Sequence, residues 1–295
     1  MSIYLTGASG FVGKNIIEFF RDSKKIVKAT RNTSIEFEEQ VVIHLAGKAH
    51  DLKKVSSSDE YYKVNTELTK EIFNAFLNSK AKVFITLSSV KSVADEVDGE
   101  LTEDVTPNPI THYGKSKLLA EQYILSQTIP EGKRVYILRP CMIHGPGNKG
   151  NLNLLYSLVS KGLPWPLGLF ENSRSYLSIE NLCFIIKELI EREDIPSGVY
   201  NVADDVPLST NEVINIIAEL KGKNATILNM SQNLIKLLAR VGDFLKLPLD
   251  SERLQKLTES YVVSNVKIKS ALGKSLPVSS KDGLIRTFKS FADNA

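Results

Sequence analysis

Two cysteines, four histidines and one tryptophan in 295 residues leave little for several common chemistries. Cys141 and Cys183 stand far apart in apolar surroundings, so the expectation is two reduced, buried thiols, and no metal spacing is present. No apolar run approaches the roughly 18 residues that a membrane-spanning helix needs. An excess of one charge is missing too: 37 Lys and Arg against 34 Asp and Glu leave a net charge of +3. The lysines are scattered among acids, which gives nucleic acid nothing to bind. Internal repeats, low-complexity tracts and charged tails are absent, and the first strand begins at once, leaving no room for a secretory leader. The expectation is a cytoplasmic, soluble chain of one or two domains with no metal and no nucleic-acid partner.

What is present begins with Ser2–Phe20, S-I-Y-L-T-G-A-S-G-F-V-G-K-N-I-I-E-F-F. Ile3–Thr6 has strand character. Gly7, Gly10 and Gly13 follow, and Phe11, Val12, Ile16, Phe19 and Phe20 recur at helical spacing. A strand that turns through glycines into a helix gathers bare N–H groups and the positive end of a helix dipole at one point, which suits a phosphate. Glycine is needed where a Cβ would block the turn, the pyrophosphate or the packing of helix on strand. The plain alternative is an ordinary turn in another α/β protein.

Lys25–Thr30 reads as a second strand ending at Arg31. In a dinucleotide-binding fold that strand end meets the adenosine ribose, and an arginine there suits the 2′-phosphate of NADP. A solvated arginine after a strand is the alternative. Only Asn32–Gln40 precedes the next strand, Val41–Leu45, too little for a helical crossover. Either a helix–strand unit is missing or the link is a short extended loop, with the adenine side left open. Val41–Leu45 is apolar throughout, as for a strand buried on both faces, and ends in Ala46-Gly47. Glu60–Asn78 reads as a helix, and Lys82–Leu87 as a strand ending in Ser88-Ser89, where open α/β sheets place ligands.

A loop over Val90–Thr111 leads to a helix at His112–Gln127, with Tyr113 and Lys117 on one face. Arg134–Leu138 is a strand and Arg139–Gly147 a loop rich in turn residues. Leu152–Lys161 and Leu182–Glu191 are helical, Pro164-Trp165-Pro166 is a rigid turn, Gly198–Val202 is a strand, and from Ser209 the chain is mostly helical. The fold class is α/β, a doubly wound parallel sheet with a smaller, mostly helical domain. The dinucleotide-binding domain is placed at 1–150, with a return near 176–202, and the substrate domain at 151–295.

A phenol with a pKa near about 10 is a poor base at neutral pH. A nearby ammonium and the positive charge of a nicotinamide favour the phenolate. A serine hydroxyl can then hold a substrate oxygen while tyrosine passes the proton and hydride moves. At these residues the chain resembles the extended short-chain dehydrogenase/reductases. The matching stretches are Thr6-Gly7-x-x-Gly10-x-x-Gly13, His44-Leu45-Ala46-Gly47, Ser88-Ser89 and Tyr113-x-x-x-Lys117, then Leu138-Arg139-Pro140 with Gly145-Pro146-Gly147, and Arg174–Leu182. Tyr62-Lys63-Val64-Asn65-Thr66 resembles the helix that carries an active-site asparagine.

The resemblance implies a Rossmann fold and roles for single residues. Ser89, Tyr113 and Lys117 are the implied catalytic residues. Gly7, Gly10, Phe11, Val12 and Gly13 would cradle the pyrophosphate. Arg31, Leu45, Ala46, Gly47, Ser88, Tyr113, Lys117 and Pro140 would complete the cofactor site. Asn65, Ser89 and Arg174 would serve the substrate, Arg174 on its diphosphate, with a surface ion pair as the plain alternative. The implied substrate is a nucleotide-linked sugar, UDP-linked by subgroup, in surface-polysaccharide synthesis, within the UDP-glucose 4-epimerase-like and 4-keto-sugar reductase subgroup. The segment Lys161–Gly168 followed by Asn172–Ser175 is typical of it.

Departures narrow the reaction. Ser89-Val90-Lys91 lacks the acids of a 4,6-dehydratase, and Met142 stands where many epimerases have asparagine. Arg31 and the short Asn32–Gln40 link favour NADP(H) over NAD(H), and hence a 4-ketoreductase, with an NAD-dependent 4-epimerase as the alternative and a non-catalytic NADP(H)-binding regulator as a remote one. Glu60–Asn78 and His112–Gln127 resemble the helices of a four-helix homodimer interface. Leu228–Leu247 holds an amphipathic helix with Leu234, Leu237, Leu238, Val241 and Leu245 on one side and Lys236, Arg240 and Lys246 elsewhere. It is read as a lid packed on its apolar face, with a membrane surface as the alternative; membrane contact is not the expectation.

Overall fold

The computed structural model describes residues 1–29, 37–48, 57–148, 150–245 and 250–292. The chain opens with β1 (Ser2–Thr6), α1 (Phe11–Phe20), β2 (Lys25–Lys28) and β3 (Val41–His44). Then come α2 (Ser58–Tyr61), a π-helical turn (Tyr62–Glu67) and α3 (Leu68–Asn78), followed by β4 (Val83–Leu87) and the two-residue β5 (Glu100–Leu101). Next are α4 (His112–Ser126), β6 (Arg134–Pro140), β7 (Met142–His144), α5 (Asn151–Ser160), β8 (Tyr176–Ser178), α6 (Ile179–Glu191) and β9 (Gly198–Val202). The remainder is α7 (Thr210–Leu220), α8 (Gln232–Leu245), α9 (Ser251–Thr258), β10 (Val262–Val263), α10 (Val266–Leu272) and α11 (Ser280–Ala292).

Six strands form one parallel sheet in the order β2-β1-β3-β4-β6-β9. Ile3 stands opposite Ile26 on one side and Val41 on the other. Every residue of β3 is buried, which is why Val41–His44 could be apolar without alternation. After β2 the chain crosses to the far side of β1, so the order reverses between β1 and β3. A crevice opens at such a reversal, beyond the carboxyl ends of the strands. Among the described residues no strand lies outside β2, so the third strand of a full mononucleotide-binding half is not seen there.

One core gathers Ile3, Leu5, Ile16 and Phe20 with β3, β4, β6, α6 and β9, and also takes Ile268, Leu272 and Leu276. Each fully buried side chain of this size contributes about 1.5–3 kcal/mol. A second core, with Trp165, Phe170, Tyr176, Ile217 and Phe288, joins α5, α7 and α11. The chain thus returns to the first core in two places, at β8–α6–β9 and again at α10.

Several elements differ from the sequence reading. β2 is assigned to Lys25–Lys28, although the Ala29 N–H still donates to the Leu5 carbonyl at 2.9 Å; the expected end at Thr30 lies outside the described residues. The loop over 139–147 instead extends β6 to Pro140 and adds β7, which pairs with β8. The Trp165 turn is tied down by a parallel bridge to Ile227. α6 starts at Ile179, with the Ser178 hydroxyl accepting from the Glu180 N–H. The largest correction is α8. Leu234, Leu237, Leu238, Val241 and Leu245, expected to pack on the protein, are exposed, and the helix rests on Ile235, Ala239 and Gly242. Small residues allow the close approach, so the narrow stripe is covered and the broad one is not.

Candidate active site

At the crevice, Gly7 has φ +69, and a Cβ there would fall 2.6 Å from the Leu45 carbonyl carbon. Only glycine lets the end of β1 and the loop after β3 come this close. Gly10 caps α1 with no side-chain acceptor, and the first turn of α1 carries no acid. No side-chain cap or acid of the helix itself meets its first N–H groups, so Phe11, Val12 and Gly13 lie at the positive end of the helix dipole.

The loop Leu45–Lys48 is held by a buried relay. The Leu45 and Ala46 N–H groups donate to Thr6 Oγ1 at 3.1 and 3.0 Å. Thr6 Oγ1 lies 2.8 Å from His44 Nδ1, and His44 Nε2 lies 3.0 Å from Thr69 Oγ1. Thr69 gives its own proton to the Asn65 carbonyl at 2.7 Å. It must then accept from His44 Nε2–H, so Nδ1 is bare and accepts from Thr6. Burial, with Lys117 nearby, drives the His44 pKa down to about 3, so the ring is neutral at physiological pH.

Asn65 is fully buried in the π-helical turn. Its Oδ1 accepts from the Lys48 N–H at 2.7 Å, and its Nδ2 donates to the Lys48 carbonyl at 3.1 Å and to Ser116 Oγ at 3.0 Å. All these bonds go to protein, so Asn65 fixes the cofactor-side loop on α4. The sequence reading had assigned it to substrate.

Ser89 and Tyr113 meet, and Lys117 follows one turn further along α4. Tyr113 hydrogen-bonds Ser89, which favours the phenolate, while burial and the neighbouring Tyr61 push the phenol above its usual value. The approach depends on Gly114, where a Cβ would sit 2.8 Å from Pro109 Cβ and run into the Lys91 carbonyl. Asp95 sets the start of α4 by accepting from the Ile110 N–H at 2.6 Å and the Thr111 N–H at 3.2 Å. Lys117 donates to the Leu87 carbonyl at 2.8 Å, and burial lowers its pKa to about 8 against the pull of Glu121. A Cβ on Gly47 would lie 3.1 Å from Lys117 Nζ, so the ammonium is at the cofactor-side loop.

Behind the triad, Arg139 and Glu121 form a buried ion pair, with Nε 3.1 Å from both carboxylate oxygens. Glu121 Oε1 also accepts from Ser88 and, at 2.7 Å, from Ser92. The Ser88 hydroxyl is thus committed to Glu121. Pro140 is buried at the end of β6 opposite Val202. Arg174 donates to the Lys256 carbonyl and lies 3.4 Å from Glu259. The ion pair considered as the alternative for Arg174 is therefore present. Arg31 lies outside the described residues.

Comparison with known proteins adds identity. Residues 3–203 match the model of the NAD dependent epimerase/dehydratase family. A UDP-glucose 4-epimerase of Vibrio cholerae is 32% identical, over 98% of this chain and 95% of its own. An Escherichia coli N-acetyl-alpha-D-glucosaminyl-diphospho-ditrans,octacis-undecaprenol 4-epimerase is 26% identical over 91% of this chain and 84% of its own. The crystal structure of UDP-glucuronic acid 4-epimerase from Bacillus cereus in complex with NAD superposes with a TM-score of 0.76 at 20% identity, covering 100% of this chain and 99% of that one. This chain belongs to the NAD dependent epimerase/dehydratase family.

The family's nicotinamide dinucleotide fits what the crevice shows. The Gly7 turn leaves no room for a side chain, and the start of α1 has no acid or cap of its own to oppose a pyrophosphate. Where a family dehydratase would keep its acids, this family member has Val90, buried, and Lys91, whose ammonium donates to the Asp95 carbonyl at 2.6 Å and sits 4.1 Å from the centre of the Tyr261 ring. Glu121, Gly114 and Asp95 escaped the sequence reading, which quoted His44 and Arg139 inside matching stretches but gave them no role. Glu121 had a usable signal, since it continues the face of Tyr113 and Lys117 by one more turn.

Proposed function

We propose that the chain interconverts configurations at C4 of a sugar linked through a diphosphate to a nucleoside, UDP by preference, in surface-polysaccharide synthesis. The observation that carries this reading is the Ser89–Tyr113 hydrogen bond, with Lys117 one turn along α4 and a glycine turn free of acids at the start of α1. Tyr113 takes the proton from the C4 hydroxyl and returns it to the C4 oxygen, and Ser89 holds that oxygen in line. Lys117 supports the phenolate electrostatically. The bound nicotinamide supplies the acceptor and then the donor of hydride. Arg174 serves the diphosphate once it exchanges Glu259 for it, a role suited to its planar fork of donors. The 4-epimerase relatives favour epimerisation, which keeps NAD through a closed cycle. The sequence reading of Arg31 and the short link favours the second reading, an NADPH-dependent 4-ketoreductase. α3 and α4 supply the face for a homodimer.

The test is Tyr113→Phe. With UDP-hexoses and UDP-N-acetylhexosamines as substrates and the C4 epimer read by NMR, turnover falls at least about a thousandfold, while bound nucleotide per chain is unchanged. Retained turnover sinks the mechanism.

A further inference from the structure

α8 turns its larger apolar face away from the protein. At about 100° per residue, Ile235, Ala239 and Gly242 share one narrow sector, and these are the buried residues of the helix. Phe244, Leu237, Val241, Leu234, Leu245 and Leu238 fill a separate arc of roughly 120°. Their exposure runs from 43% at Val241 to 88% at Phe244. Lys236, Arg240 and Asn233 make the polar sector, with Arg240 and Asn233 bordering Phe244. Asp243, the only acid of the helix, is exposed and committed to the start of α9: it accepts from the Ser251 N–H at 2.7 Å and the Ser251 hydroxyl at 2.6 Å. Among the described residues no carboxylate comes within 4.0 Å of the Lys236 or Arg240 head groups.

We propose that α8 docks on an anionic membrane surface, its leucine and phenylalanine arc entering the bilayer interface while Arg240 meets lipid phosphates at the border and Lys236, further round the helix, adds to the positive field. A wide apolar arc with cations at its edge is the arrangement that holds a helix in the interface plane, and long basic side chains reach from such an edge to the head groups. A contiguous apolar surface of this kind marks an interaction site. Charge argues for lipid over a second copy of the chain. The carboxylate of Asp243 already takes two bonds from Ser251, so α8 offers the cations of a second copy no uncommitted acid. The docked helix is joined to the substrate side: Asp243 holds the start of α9, and the end of α9 holds Arg174 through the Lys256 carbonyl.

The experiment is co-sedimentation of the full chain with vesicles of equal parts phosphatidylglycerol and phosphatidylethanolamine, and with phosphatidylcholine alone. The wild type sediments with the anionic vesicles. Leu237→Ser with Phe244→Ser weakens binding at least about tenfold. Lys236→Gln with Arg240→Gln removes the preference for anionic lipid and its sensitivity to salt. Both variants keep the melting temperature and sugar turnover of the wild type, since the altered side chains are exposed. Wild type that stays in the supernatant overturns the proposal. So does unchanged binding by the Leu237→Ser, Phe244→Ser variant, and so does a concentration-dependent dimer that this variant dissolves. Binding is read without substrate, so missing C4 turnover counts only against the catalytic reading.

Discussion

In the proposed cycle Tyr113 takes and returns a proton within one turnover, and its surroundings pull both ways. Burial disfavours the phenolate, and the Ser89 hydrogen bond favours it. Lys117 is the remaining lever, with its pKa brought down to about 8 by burial. It is charged below that value and loses its charge as pH rises through it. Turnover should therefore fall on the alkaline side with one ionisation near about 8, read from kcat against pH. Stability moves the opposite way. An unfolded lysine holds its proton to about 10.4, so between roughly pH 8 and pH 10 the unfolded chain binds more protons, and the folded state gains with pH. Thermal melts across that window should show the wild type gaining on Lys117→Met. Parallel curves contradict the assignment of a buried, depressed lysine.

At the scale of the element, α4 organises the site because it can come close. Gly114 permits contact with the turn after Ser89, Asp95 fixes the start of the helix, and Glu121 meets Arg139 further along it. Gly114→Ala must push α4 off the Lys91 carbonyl. Moving reacting groups by about 1 Å costs on the order of a hundredfold, so kcat should fall by about that much, with a smaller loss of thermal stability. A variant with wild-type kcat would show that the approach is not needed. The helix and its Tyr113–Lys117 face were legible from spacing alone. Gly114, by contrast, reads in sequence only as a weak helix former. Its need for space comes from Lys91 and Pro109, which are near in the fold and remote in helical periodicity. The protein contacts of Asn65 and Ser88 were hidden for a related reason. Pattern brings a polar residue to the site, and only three-dimensional contacts show whether its atoms are already committed to Lys48, Ser116 or Glu121. α8 failed differently: periodicity finds an apolar arc but not which part is covered.

For the whole molecule, the parallel sheet and its reversal between β1 and β3 followed from the glycine turn and the alternation of strand and helix. The return of Ile268, Leu272 and Leu276 to the first core did not, because long-range packing leaves no periodic trace in α10. Among the described residues no helix is long and apolar enough to cross a membrane, so contact with a bilayer would rest on a surface element such as α8. The central claim is that the candidate active site runs a closed redox cycle at C4. Its most direct test is to denature the purified protein and identify the nucleotide released. The account predicts close to one NAD per chain. Protein free of nucleotide that binds NADPH far more tightly than NADH on titration would contradict the closed cycle and leave the ketoreductase.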